Sequence, residues 1–184
     1  MVTTKKGKIL ISDPSIIPDL QFSRSIILLV DDNNEGSIGF IINKPLNFEL
    51  KDLIPVIKSN LPIYHGGPVQ QDNLYFVHKI PKLIPESIKI SEGLYWSGNF
   101  EIILKLSRDQ KINKNDIRFF LGYSGWDANQ LNLELDSNSW ILSENNYKKD
   151  IFQVSYKTIW KNRMIDLGGE YSLWSNAPDQ PSQN

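Results

Sequence analysis

The chain has no cysteine among its 184 residues. Disulfides, a thiol nucleophile, thiolate zinc sites and cysteine-ligated iron–sulfur clusters are therefore excluded. Histidine is scarce too, with only His65 and His78. A catalytic zinc usually takes three protein ligands, and no HExxH-type spacing is present. No metal and no cofactor are expected. Arginine occurs only at positions 24, 108, 118 and 163; the other sixteen of the 20 basic residues are lysine. Few arginines mean few bidentate forks for phosphate or guanine. The 20 basic and 21 acidic residues leave a net charge of -1, evenly spread, with net 0 over residues 1–92 and -1 over 93–184. The basic field on which nucleic-acid affinity rests is missing. Long hydrophobic runs are missing as well: nothing approaches the ~20 residues that span a bilayer. Ile9-Leu10-Ile11 is too short for a signal-peptide core. The cytoplasm is the expected compartment, with no membrane partner.

What is present is an ordinary globular composition, 40% apolar and 22% charged. It suffices for one sizeable core, and the length favours a single domain. That domain is expected over residues 1–175. Residues 176–184, polar and carrying Pro178 and Pro181, read as an extended tail on the surface or loose.

Strands dominate the first half. Lys8–Ser12 is a short apolar run ended by Asp13-Pro14, and Ser25–Val30 is Ile-rich and continuous, the pattern of a strand buried on both faces. The polar cluster at 31–36 turns the second run into a third strand, Ser37–Asn43, and Pro45 is expected to end pairing. Gly39 within that strand marks a bulge or a close backbone approach. Leu61–His65, Leu74–His78, Leu94–Ser97, Ile117–Leu121 and Trp140–Leu142 follow as strands. Helices are expected at Asn99–Arg108, Ala128–Asp136 and Tyr156–Leu167. The last places Tyr156, Ile159, Trp160, Arg163, Met164 and Leu167 on one stripe, with Ser155 as cap and Gly168-Gly169 as stop.

Two glycine segments stand out. Gly66-Gly67-Pro68 permits a backbone path few residues allow, but matches neither a Walker A loop nor Gly-x-Gly-x-x-Gly. Gly122-Tyr123-Ser124-Gly125-Trp126 follows an expected strand and precedes an expected helix. It fails as a nucleophile elbow, because Trp126 stands where the last glycine of Gly-x-Ser-x-Gly belongs. It reads as a tight strand-to-helix turn. Alternatively, free N–H groups at the helix start bind an anion, with Tyr123 and Trp126 walling a pocket. Arg24 and Asn43 sit at strand ends, the first either solvated or paired with a buried carboxylate.

Phe22–Leu29, Gly36–Pro45, Gly66–Val69, Phe119–Trp126 with Gln130-Leu131, and Leu167–Gly169 together resemble the bacterial YqgE/AlgH family, in order and over nearly the whole chain. Lys44 stands where that family usually has Arg, and Ser124 where it often has Ala, which speaks against Ser124 as a nucleophile. The resemblance implies a cytosolic α+β domain with a mixed, partly barrel-like sheet flanked by helices. It also brings the label of a transcriptional regulator, which specifies no DNA-binding mechanism. Three functions follow. The first is a non-catalytic protein that binds a small ligand or a protein partner through Arg24, Asn43, Gly66, Gly67, Pro68, His78, Gly122, Tyr123, Gly125, Trp126 and Gln130. The second is an enzyme with a polar site near Arg24, Asn43, His78 and Ser124. The third, direct DNA binding, is disfavoured by the charge balance.

The helical stripe yields a first prediction. Trp160→Ala lowers stability by about 3–5 kcal/mol through lost burial and a cavity. An unchanged melting curve contradicts it.

Overall fold

The computed structural model describes residues 4–14 and 21–177. Most of the expected tail, 178–184, lies outside them. Ten strands and five α-helices follow one another as β1 (Ile9–Ser12), β2 (Ile26–Asn33), β3 (Gly36–Ile41), β4 (Pro45–Glu49), α1 (Leu50–Leu53), β5 (Pro62–His65), β6 (Val69–His78), β7 (Ile88–Ser91), β8 (Leu94–Trp96), α2 (Phe100–Arg108), β9 (Ile117–Asp127), α3 (Gln130–Asp136), β10 (Trp140–Ser143), α4 (Ile159–Leu167) and α5 (Gly169–Trp174). A 3-10 helix at Lys148–Gln153 precedes α4.

The strands form one sheet in the order β10-β1-β2-β3-β9-β6-β8-β7, with β4 and β5 attached beside β9. All pairs are antiparallel except β5 with β9. The α+β class and the mixed sheet expected from the sequence are therefore present. The sheet is not closed: β10 and β7 are its ends.

The continuous apolar runs are explained by burial on both faces. Ile9 and Ile11 of β1, with Ile26, Leu28 and Val30 of β2, pack against Trp160 and Met164 of α4. The intervening Leu10, Ile27 and Leu29 pack on the other face against Trp126, Leu131 and Trp140. A third cluster joins Leu50, Ile63 and Phe119 to Ile103 of α2. That helix starts where the sequence places it, with Asn99 Oδ1 accepting from the Ile102 N–H at 3.1 Å.

β9 is the hub. One edge carries β6 along Ile117–Tyr123; the other carries parallel β5 along Phe119–Leu121 and then β3 along Ser124–Asp127. The change of partner occurs at Gly122, whose φ is +69°. There two backbones meet almost directly. A Cβ on Gly67 would lie 2.3 Å from the Tyr123 carbonyl, and one on Gly122 would lie 2.4 Å from the Gly67 oxygen. Opposite Gly39 the β2–β3 ladder slips between Leu29 and Asp31, and a Cβ on Gly39 would lie 3.0 Å from the Leu28 oxygen. Bulge and close approach coincide there.

Three expectations need correction. Gly122–Trp126 is strand, not a strand-to-helix turn: β9 runs to Asp127, and its burial alternates from Tyr123 onward. The α3 start lies beyond it, with left-handed Asn129 at the N-cap position making no side-chain cap, and that helix has only 7 residues, so the anion-binding helix terminus is not formed by this segment. Pro45 starts β4 and pairs with Tyr64, since a proline opening a strand needs no N–H there. α4 starts at Ile159; Ser155 contributes its carbonyl to the Thr158 and Ile159 N–H groups, not a side-chain cap. Tyr156 and Leu167 therefore fall at the ends of the stripe, 39% and 37% exposed, while Trp160 is 5% exposed.

The glycine crossing separates two effects. Gly122→Ala must displace backbone as well as adopt positive φ, and should cost about 3 kcal/mol or more. Gly169→Ala also requires positive φ, at +53°, but has nothing within 4 Å of the new Cβ, and should cost about 1–2 kcal/mol. Equal losses in urea unfolding would refute the steric account.

Candidate functional site

The sequence-derived site residues divide into five places. Pro68, Gly125, Trp126 and Gln130 line one hollow of about 430 Å³, together with Phe22, Glu134, Ser139 and Trp140. Tyr123 lines an adjoining hollow that shares Gly125 and Trp126. Arg24 and Asn43 line a third, of about 600 Å³, with Lys44, Lys157, Trp160 and Lys161. Gly66, Gly67 and Gly122 are buried at the backbone crossing. His78 lies apart, at the end of β6.

The first hollow is organised by one carboxylate. Oε2 of Glu134 accepts from the indole Nε1–H of Trp126 at 2.8 Å and from that of Trp140 at 2.9 Å. Oε1 accepts from Gln130 Nε2 at 2.9 Å. Gln130 in turn uses its Oε1 to accept from the Asp127 N–H at 2.9 Å, which ties α3 to the end of β9. The rings stand edge to face, Trp126 on Trp140 at 6.1 Å and Phe22 on Trp140 at 5.3 Å between centroids. Strand alternation places Trp126 inward from β9, and β10 contributes Trp140 to the same cluster.

The third hollow is cationic. Arg24 has φ of 53°, lies 5.1 Å from the Trp160 ring and donates from Nη2 to the Ala177 carbonyl at 2.8 Å. Asn43 stitches its neighbours: Oδ1 accepts from the Ile26 N–H at 2.9 Å and Nδ2 donates to the Arg24 carbonyl at 2.8 Å. Its amide replaces a missing rung of the strand ladder.

The residues proposed for catalysis are held in the scaffold. Ser124 is buried and donates to the Gly66 carbonyl at 3.1 Å. His78 is 0% exposed. Its Nδ1 accepts from the Ile80 N–H at 3.3 Å, so Nε2 carries the proton that faces the Ser97 carbonyl at 3.2 Å. Burial pushes its pKa down to about 4, against a smaller upward pull from that carbonyl. His78 and Ser124 line neither the Arg24 hollow nor the tryptophan hollow. Among the described residues, no three His, Asp or Glu side chains gather as a metal would require.

Sequence reading missed two residues. Glu134 was one acid on a helical segment, and nothing local signals that two indoles point at it. Arg118 interrupts the apolar run Ile117–Leu121, which was the available signal. The residue is 7% exposed, and its guanidinium lies 4.2 Å from the Tyr64 ring and 4.6 Å from the Phe152 ring. It donates to the carbonyls of Ile42 and Phe152, both at 2.8 Å. Burial lowers its pKa to about 10, which leaves it charged at neutral pH.

The AlgH-like family model matches residues 9–172. The chain belongs to the AlgH-like family. It is 43% identical to a UPF0301 protein of Bacteroides fragilis, covering 100% of this chain and 93% of that one. It is 37% identical to a UPF0301 protein of Cytophaga hutchinsonii, covering 97% and 98%. The solution structure of AlgH from Pseudomonas aeruginosa superposes with a TM-score of 0.72 at 25% identity, over 98% of each chain. The crystal structure of DIP2367 from Corynebacterium diphtheriae shares the fold, with a TM-score of 0.71 at 17% identity over 96% and 94%. This AlgH-like chain thus has the architecture of its relatives along its length, and the molecular function of the family is uncharacterised.

The buried histidine sets a pH dependence. An unfolded histidine titrates near ~6.5, so between that pH and about 4 the unfolded chain binds a proton that the folded one refuses. The His78 contribution is complete above the unfolded value and is lost as pH falls through this window. Urea unfolding at pH 7 and 4.5 should show a smaller acid-induced loss in His78→Gln than in the parent, by about 2 kcal/mol. Parallel losses would exclude the assignment.

Proposed function

We propose that this AlgH-like protein is a non-catalytic, cytosolic binding protein that acts as a regulator by engaging a small ligand through the tryptophan hollow. The observation that carries this reading is the Glu134 carboxylate, which holds both indole N–H groups at 2.8 and 2.9 Å and so fixes two walls of an aromatic-lined concavity. A hollow of about 430 Å³ is of small-molecule size. Four residues singled out from the sequence, Pro68, Gly125, Trp126 and Gln130, line it together.

The enzymatic reading needs reactive groups that share a cleft. Of its four residues, Arg24 and Asn43 share a hollow, while Ser124 and His78 have their polar atoms in scaffold hydrogen bonds. Regulation by direct DNA contact gains nothing from a net charge of -1.

The test is a titration of the ¹⁵N-labelled protein with fractionated small-molecule extract, read on the indole N–H resonances of Trp126 and Trp140. A specific fraction should shift both, and Trp126→Phe should weaken that response about tenfold, the equivalent of ~1.4 kcal/mol. Turnover by the parent protein that vanishes in a folded Ser124→Ala or His78→Gln variant would replace this reading with the enzymatic one.

A further inference from the structure

The chemistry of the same hollow narrows the ligand class. Its walls include Phe22, Trp126 and Trp140, whose rings carry negative π-electron density on their faces. Among its described lining residues, Glu134 is the only charged one. That carboxylate accepts three hydrogen bonds, all from neutral donors: two indoles and the Gln130 amide. No Lys, Arg or His pairs with it among the described residues. The hydrogen bonds orient the carboxylate without neutralising it. The hollow therefore combines aromatic walls with one uncompensated negative charge.

An anion would meet like charge and π-electron density in this space. A neutral apolar ligand would leave the carboxylate uncompensated. A positively charged alkylammonium gains from both components, by cation–π attraction to the rings and by Coulomb attraction to the carboxylate. A quaternary head suits the site further, because it donates no hydrogen bonds and three of the carboxylate's acceptor positions are already taken by Trp126, Trp140 and Gln130.

We infer that the tryptophan hollow is a binding site for a small organic cation with an alkylammonium head. This rests on the proposed ligand-binding role of the hollow and adds the charge and chemical class of the ligand. The source is a free small molecule; a lysine side chain from a protein partner is the competing source of the same head group.

The experiment uses the full chain, ¹⁵N-labelled, titrated separately with choline chloride, with its neutral isostere 3,3-dimethylbutanol, and with a short trimethyl-lysine peptide. Sodium chloride is matched throughout. Choline should shift the indole resonances of Trp126 and Trp140 in a saturable way and bind at least about tenfold tighter than the alcohol. Glu134→Gln keeps a carbonyl acceptor for the indoles but removes the charge. It should lose about tenfold in choline affinity and little in alcohol affinity. The peptide should bind no tighter than choline; tighter binding assigns the site to a protein side chain and overturns the free-ligand source. Equal binding of choline and alcohol overturns the cation class while leaving a ligand site. Absence of shifts with either probe up to tens of millimolar overturns the cation inference, and the extract titration then decides the broader reading alone. The comparison of the two probes on the parent protein stands even if Glu134→Gln fails to fold.

Discussion

The architecture depends on a contact between two stretches of main chain. The β5–β6 connection and β9 cross with Gly66, Gly67 and Gly122 so near each other that a single added carbon on any of them would fall inside a neighbouring carbonyl. From that crossing β9 can hold β6 on one edge and exchange β5 for β3 on the other. Ser124 reinforces the joint through its bond to the Gly66 carbonyl, which also accepts from the Ile41 N–H. The serine beside the glycines is thus a brace. In the sequence the glycines suggest positive φ and close packing within a strand-to-helix turn; both hold at Gly122, but inside a continuous strand and against a distant segment. Steric exclusion between segments distant in sequence leaves no local trace.

Burial at the sheet centre follows from the same arrangement. β1 and β2 are covered on both faces, which is why their apolar residues do not alternate; the longer run of β2 makes that pattern legible in the sequence, while β1 is too short to show more than a strand. The long β6 and β9 were legible only in part. Gln70-Gln71-Asp72-Asn73 is polar and bulges between the pairs Val69–Tyr123 and Leu74–Leu121, so the sequence hides the first half of β6. β7, with exposed Ile88 and Lys89 at the sheet edge, offers too little pattern to be recognised. α5 has no buried residue and no periodic stripe to announce it.

The candidate site shows the same division. Pro68, Gly125 and Trp126 stand out in the sequence at its glycine segments and Gln130 through the family resemblance, and the four meet in one hollow. Glu134 was not chosen, since an acid on a short helix is ordinary until a strand at 140–143 brings a second indole to it. Arg24 and Asn43 were read as possible chemistry. They do adjoin each other, but Asn43 spends its amide on two backbone groups and acts as a surrogate ladder rung. Arg118 illustrates a cation buried without a carboxylate: two carbonyls and two rings solvate it, and these ligands come from three separate parts of the chain.

The position of β9 also bears on how the molecule is made. Its partners lie far upstream, and the pair Gly36–Asp127 joins residues at opposite ends of a long stretch of chain. During synthesis the β1–β3 meander and the β5–β6 region emerge with their central edges unpaired, and they stay so until the residues of β9 leave the ribosome. Topologies of this non-local kind fold slowly and expose strand edges meanwhile. The nascent chain therefore carries open strand edges that close only when its ninth strand is inserted.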